Sequence, residues 1–119
     1  KFGSMLLYVV YLISKPNKMK IKNLTSPKGN VVPNQFEIEI GNKLFYKSYD
    51  SNIVKIENGR TYLDVKYWNW SKTTSKYRNL FLGETTKETE RKILNGDYLL
   101  IDLNAPEKTN TARDFKFLK

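Results

Sequence analysis

The chain contains no cysteine and no histidine. No disulfide can form, so thiol usage says nothing about the redox compartment. The common zinc and copper ligand sets are missing. So are Ser-His and Cys-His nucleophile pairs and every histidine acid–base group. Carboxylate-only chemistry of the glycosidase kind remains, but no acidic pair is placed for it. Glu37/Glu39 alternate with the apolar residues of a strand, and Glu88/Glu90 read as solvent-facing helix charge. A binding protein rather than an enzyme is expected, with no cofactor and no metal.

Acid is scarce too. Up to Gln35 the chain carries lysine but no aspartate or glutamate. Over the whole chain 21 Lys and Arg face 12 Asp and Glu, a formal charge of +9. That surplus attracts polyanions: nucleic acid, an acidic protein face or an anionic membrane surface. Long apolar runs are also lacking. No stretch of about 18 apolar residues occurs, so no membrane span is expected. Met5–Ile13 is too short to span, and no small-residue cleavage site follows it; Ser14-Lys15-Pro16-Asn17-Lys18 comes instead. The expected location is the cytoplasm.

Lys1-Phe2-Gly3-Ser4 reads as a cloning remnant ahead of Met5, and Met19 is an equally good native start. Residues 1–18 are therefore read as that remnant plus an N-terminal strand, Met5–Ile13. Such a strand would pack on the sheet or pair two copies into a homodimer. Residues 19–104 are expected to form a single domain, and residues 105–119 a loosely held tail.

Alanine is scarce while Tyr, Phe and Trp are plentiful, which favours strands over a helical bundle. Lys20–Leu24 alternates as a short strand, and Thr25–Asn30 forms a loop with Pro27 and Gly29 as turn formers. Phe36–Ile40 has period two, with Phe36, Ile38 and Ile40 on one face. Gly41-Asn42 and Asn58-Gly59 are hairpin signals. Strands are predicted at Lys43–Tyr49, Ile53–Glu57 and Arg60–Lys66, with a turn at Asp50-Ser51-Asn52. Thr73–Leu82 fits a helix capped by Thr73 and ended by Gly83, with Tyr77, Leu80 and Phe81 turned inward. Thr85-Thr86-Lys87-Glu88 is a capping box for a second helix, stopped at Asn95-Gly96. Tyr98–Leu103 is the last strand. The fold class is α+β: an antiparallel meander of about five or six strands with two short helices in the C-terminal half.

The segment Lys66–Arg78 concentrates the binding chemistry. It holds both tryptophans, two tyrosines and four cations, and no acid. Flat rings between cations suit nucleic acid, because rings stack on bases while Lys and Arg meet phosphates. The candidate binding residues are Lys66, Trp68, Trp70, Lys72, Thr73, Thr74, Lys76, Tyr77 and Arg78. Lys72, Lys76 and Arg78 are expected to project from the strand end and the first turns of the helix. The competing reading puts at least one tryptophan in the core: Trp68 and Trp70 would share one face of a strand. Thr25–Asn30 lacks the spacing of a phosphate loop and reads as a turn. Asn23-Leu24-Thr25 and Asn69-Trp70-Ser71 match the glycosylation pattern by chance.

From Met19 to about Asn104 the chain resembles a family of small uncharacterised proteins of phages and other mobile elements. The resemblance is carried by Thr25–Asn30, Asn34-Gln35-Phe36, Ser48-Tyr49-Asp50-Ser51, Tyr67–Arg78 running on to Phe81–Glu84, and then Glu88-Thr89, Lys92-Ile93, Gly96-Asp97-Tyr98 and Asp102-Leu103-Asn104. An Asp-aromatic pair is usual in that family where Asn69-Trp70 stands here. The resemblance brings no established activity; it implies a host-directed role. Four functions stay open: a nucleic-acid-binding accessory protein, a protein-binding inhibitor of a host enzyme or defence complex that meets an acidic or nucleic-acid-binding host protein, a small nucleotide-ligand binder, and a structural virion part.

Overall fold

The computed structural model describes residues 18–106. The expectations for Met5–Ile13 and for most of the C-terminal tail lie outside those residues. Six strands form one sheet in the order β1 to β6: β1 Met19–Thr25, β2 Val31–Ile40, β3 Lys43–Ser48, β4 Ser51–Glu57, β5 Arg60–Asp64 and β6 Tyr98–Ile101. Two helices, α1 Lys72–Leu82 and α2 Thr86–Leu94, stand between β5 and β6. The fold is α+β, as the sequence pattern predicts.

Local turn chemistry sets the meander. Asn58 and Gly59 both take positive φ, 54° and 76°, the conformation that a two-residue turn between twisted strands demands. Thr25–Asn30 is a plain turn closed by Ser26 and Asn30. β1 to β5 pair antiparallel. β6 departs from the expected meander and lies parallel to β5. The two helices carry the chain back to the end where β5 began, and a parallel neighbour needs such a crossover.

The register decides which residues share a face. Glu37, Tyr46, Val54, Leu63 and Leu100 lie in one cross-strand row, and this is the face the helices cover. Tyr46, Ile53, Val54 and Leu63 are buried there with Leu24 and Tyr77, and Phe81, Leu82 and Ile93 of the helices pack on them. The next row, Ile21, Ile38, Phe45, Lys55, Tyr62 and Leu99, points the other way. Phe36, Ile38 and Ile40 therefore lie on the face that neither helix covers. Met19 and Ile21 on that face are more than half exposed.

Several boundaries differ from expectation: β2 already starts at Val31, β4 starts at Ser51, and β6 ends at Ile101. β5 ends at Asp64 rather than Lys66, and residues 65–69 form turns, so Trp68 and Trp70 share no strand face. The cause is the buried Asp64 carboxylate. It accepts from the backbone N–H of Lys66 and Tyr67 at 3.0 and 2.8 Å, and from Leu103 N–H at 2.8 Å. α1 is capped by Ser71, not Thr73: the Ser71 hydroxyl accepts from Thr74 N–H at 3.1 Å. β3 stops at Ser48 and turns through Tyr49-Asp50. Elsewhere the signals hold: Gly83 ends α1 with φ 72°, and Thr85 and Glu88 form the reciprocal capping box of α2.

Candidate functional site

The segment that follows Asp64 is fixed by its own backbone before any side chain acts. Trp68 N–H bonds to Asp64 C=O, and Trp70 N–H to Tyr67 C=O. The compact turn separates the two tryptophans. Trp68 packs partly buried against the core, while Trp70 is 61% exposed. Trp70 is held edge-on by Tyr67, with ring centroids 4.9 Å apart at 64°. Lys66 Nζ lies 5.2 Å from the Tyr67 ring centre and 6.0 Å from that of Trp70.

Arg78 departs most from expectation. It does not project; it is fully buried. Its guanidinium donates to Trp68 C=O, Asn69 Oδ1, Asn79 Oδ1 and Thr86 Oγ1. It also lies 5.1 Å from the Trp68 ring centre. Every acceptor is neutral. Burial lowers its pKa from the usual value, opposed by Tyr46, Glu84 and Glu90. Arg78 joins the Trp70 turn to the junction of the two helices; it is a positioning residue and not a phosphate ligand. Tyr77 and Thr74 are also buried. Tyr77 joins the core as expected, but Leu80 is 44% exposed and does not turn inward with it. Lys66, Lys72, Thr73 and Lys76 stay exposed. Lys72 opens α1 instead of preceding it, and Lys76 Nζ sits 5.3 Å from the Tyr77 ring centre.

Between the start of α1 and the β3–β4 turn lies a cavity of about 310 Å3. Ile53, Tyr67 and Trp70 give it an apolar wall, and Tyr49 reaches it from the turn. Hydroxyls of Ser48, Ser51, Ser71 and Thr74 form the polar side. Ser48 Oγ and Thr74 Oγ1 are 3.5 Å apart, and Ser71 Oγ donates to Thr74 Oγ1 at 3.1 Å. Among the described residues no charged side chain lines it. Ser48, Tyr49 and Ser51 are not among the binding residues that the sequence suggests, although their run carries part of the family resemblance. Composition offers no signal for them, because a Ser-Tyr-Asp-Ser run reads as a turn.

Below this region a second polar cluster braces the helices. The Glu84 carboxylate accepts from Lys92 at 2.7 Å, Thr89 at 2.6 Å and Tyr98 at 2.9 Å. Burial alone would raise the Glu84 carboxyl, but these bonds outweigh it and hold its pKa below the usual range. No described group of acidic residues forms a metal-binding cluster, and no described helix is long and apolar enough to cross a membrane.

Residues 19–96 match the model of a family described as a family of unknown function, DUF8033. No curated protein and no solved structure matches the chain.

Proposed function

We propose that this chain, which belongs to the DUF8033 family of unknown function, is a non-enzymatic nucleic-acid-binding protein. The observation that carries the proposal is Trp70: a large ring 61% exposed, braced by Tyr67, with the Lys66 ammonium beside it and Lys72 at the start of the adjoining helix. An exposed indole costs the free protein hydrophobic stabilisation, and stacking on a base recovers it. Lys66, Lys72 and Lys76 supply the phosphate contacts. Arg78 and Trp68 hold the turn in shape. The protein acts in the cytoplasm of a bacterial cell that carries a phage or mobile element.

The test is binding of single-stranded DNA and RNA across a salt series. Replacing Lys66, Lys72 and Lys76 together should leave the unfolding free energy within about 1 kcal/mol of the original, since exposed charges contribute little. The same change should weaken binding and flatten its salt dependence, because fewer counterions are released. Unchanged binding and salt slope would overturn the proposal.

A second reading, a protein-binding modulator of a host enzyme or defence complex, draws support from the sheet face that neither described helix covers. Ile21, Ile38 and Phe45 are flanked there by Lys43, Lys47, Lys55 and Arg60, and Glu57 beside them pairs with Lys55 at 3.4 Å. An apolar patch edged by cations suits an acidic protein surface. Ile21→Glu with Ile38→Glu would abolish that function and spare nucleic-acid binding; Trp70→Ala would do the reverse.

A further inference from the structure

We infer that the cavity between α1 and the β3–β4 turn takes one unpaired base of a nucleic-acid strand, so that single strands and strand ends are recognised and continuous duplex is refused. This rests on the nucleic-acid reading above.

Charge decides which part of a nucleotide enters. No ammonium or guanidinium of the described residues lines the cavity, so a phosphate inside it would lose its water without gaining a counter-charge from them. Lys66 and Lys72 stand outside, where a phosphate can stay solvated. A base has the opposite needs: flat apolar faces and a polar edge. Ile53, Tyr67 and Trp70 offer the first; the hydroxyls of Ser48, Ser51 and Ser71 offer the second. A hydroxyl both donates and accepts, so these groups satisfy the edges of different bases and select weakly among them. The volume, about 310 Å3, is at the small end of ligand cavities, which suits one base rather than a stack. A base inside a duplex shows only its edge in a groove; it must leave the stack to fill such a cavity.

Tyr49 supplies an independent observation. Its φ is 54°, the left-handed region that glycine occupies freely and a bulky residue does not. Its N–H is fixed on Asn34 C=O at 2.7 Å, and its side chain is 58% exposed at the cavity. The turn thus keeps an aromatic ring where glycine would be less strained. A ring that faces a ligand accounts for that choice; a ring without a task does not.

The experiment uses the unaltered full chain, with Trp70→Phe as the control that assigns any quenching to Trp70. Tryptophan fluorescence and anisotropy are measured against a labelled single-stranded oligonucleotide, the same sequence annealed to its complement, free AMP and inorganic phosphate. The expected result is quenching of Trp70 by the single strand, affinity at least about tenfold above the duplex, and displacement by millimolar AMP but not by phosphate. Tyr49→Gly should weaken single-strand binding while leaving the unfolding midpoint unchanged or higher. Equal affinity for strand and duplex without quenching overturns the cavity inference and leaves nucleic-acid binding standing. Displacement by phosphate alone overturns it in favour of an anion site. No binding to either nucleic acid overturns both.

Discussion

The sheet has two faces of similar raw material and different fates. One carries Tyr46, Val54 and Leu63, all fully buried beneath the helices. The other carries Ile21, Ile38, Phe45 and Tyr62, and no described helix lies on it. The covered face holds polar groups that find most of their partners, with only Gln35 Nε2 and Arg78 Nε left unbonded among the described buried side-chain atoms. Tyr46 donates to Gln35 Oε1, and Arg78 reaches four acceptors at the base of the Trp70 turn. The open face is simpler, an apolar row broken by Lys55, whose ammonium lies 4.7 Å from the Tyr62 ring centre. Burial follows the helices rather than the hydrophobicity of either face. What makes one side a core is the crossover that returns across it.

The comparison can be broken most directly by truncation. Leu63→Ala should cost about 3–4 kcal/mol in urea unfolding, because it opens a cavity under the helices, while Ile38→Ala should cost less than about 1.5 kcal/mol. Equal costs would mean that the second face is covered in solution. Arg78→Met should cost about 3 kcal/mol, since four acceptors lose their donor, and should loosen the Trp70 turn, read as faster amide exchange at Asn69 and Trp70. The covered face should also respond to alkali. Burial, opposed by the Ser48 hydroxyl and Arg78, pushes the Tyr46 phenol up to about 12, against about 10 when unfolded. The contribution of this group is complete below pH 10 and is lost as pH rises through 12. Stability should fall by roughly 2–3 kcal/mol over that window, and Tyr46→Phe should remove this part of the slope. The smallest effect is a gain. Asn69→Asp places a carboxylate against a guanidinium that has only neutral partners, and should raise stability by about 1 kcal/mol. A loss there would mean that the turn requires the amide.

Strands and helices were legible where a local rule decides them. Asn58-Gly59, Gly83 and the Thr85–Glu88 box each act within a few residues, and each stands where the sequence puts it. Period two in Phe36–Ile40 correctly separates two faces but says nothing about which one the helices cover, because that depends on a connection dozens of residues away. Within the Lys66–Arg78 segment, residue type suggested cations and rings, and three lysines and Trp70 are exposed accordingly. Arg78 is not legible as a buried residue for a definite reason: four neutral acceptors from three separate stretches solvate it, and no spacing reveals them. Asp64 was passed over likewise. Its carboxylate ends β5 and starts the turn that exposes Trp70, yet a lone Asp at a strand end carries no signature.

The parallel pairing of β5 with β6 also has a kinetic side. The five antiparallel strands are joined by short turns, and hairpins of that kind form within microseconds. Pairing β6 with β5 requires the chain from Val65 to Asp97 to close as a loop, an entropy cost that the strand contacts must offset, so β6 is expected to pair later than the hairpins. The cavity straddles this divide. Its Ser48–Ser51 wall sits on a short hairpin, and its Trp70–Thr74 wall on the long connection from β5 to β6. A ligand that bridges the two walls binds only the finished chain, and it should therefore slow unfolding more than it speeds folding.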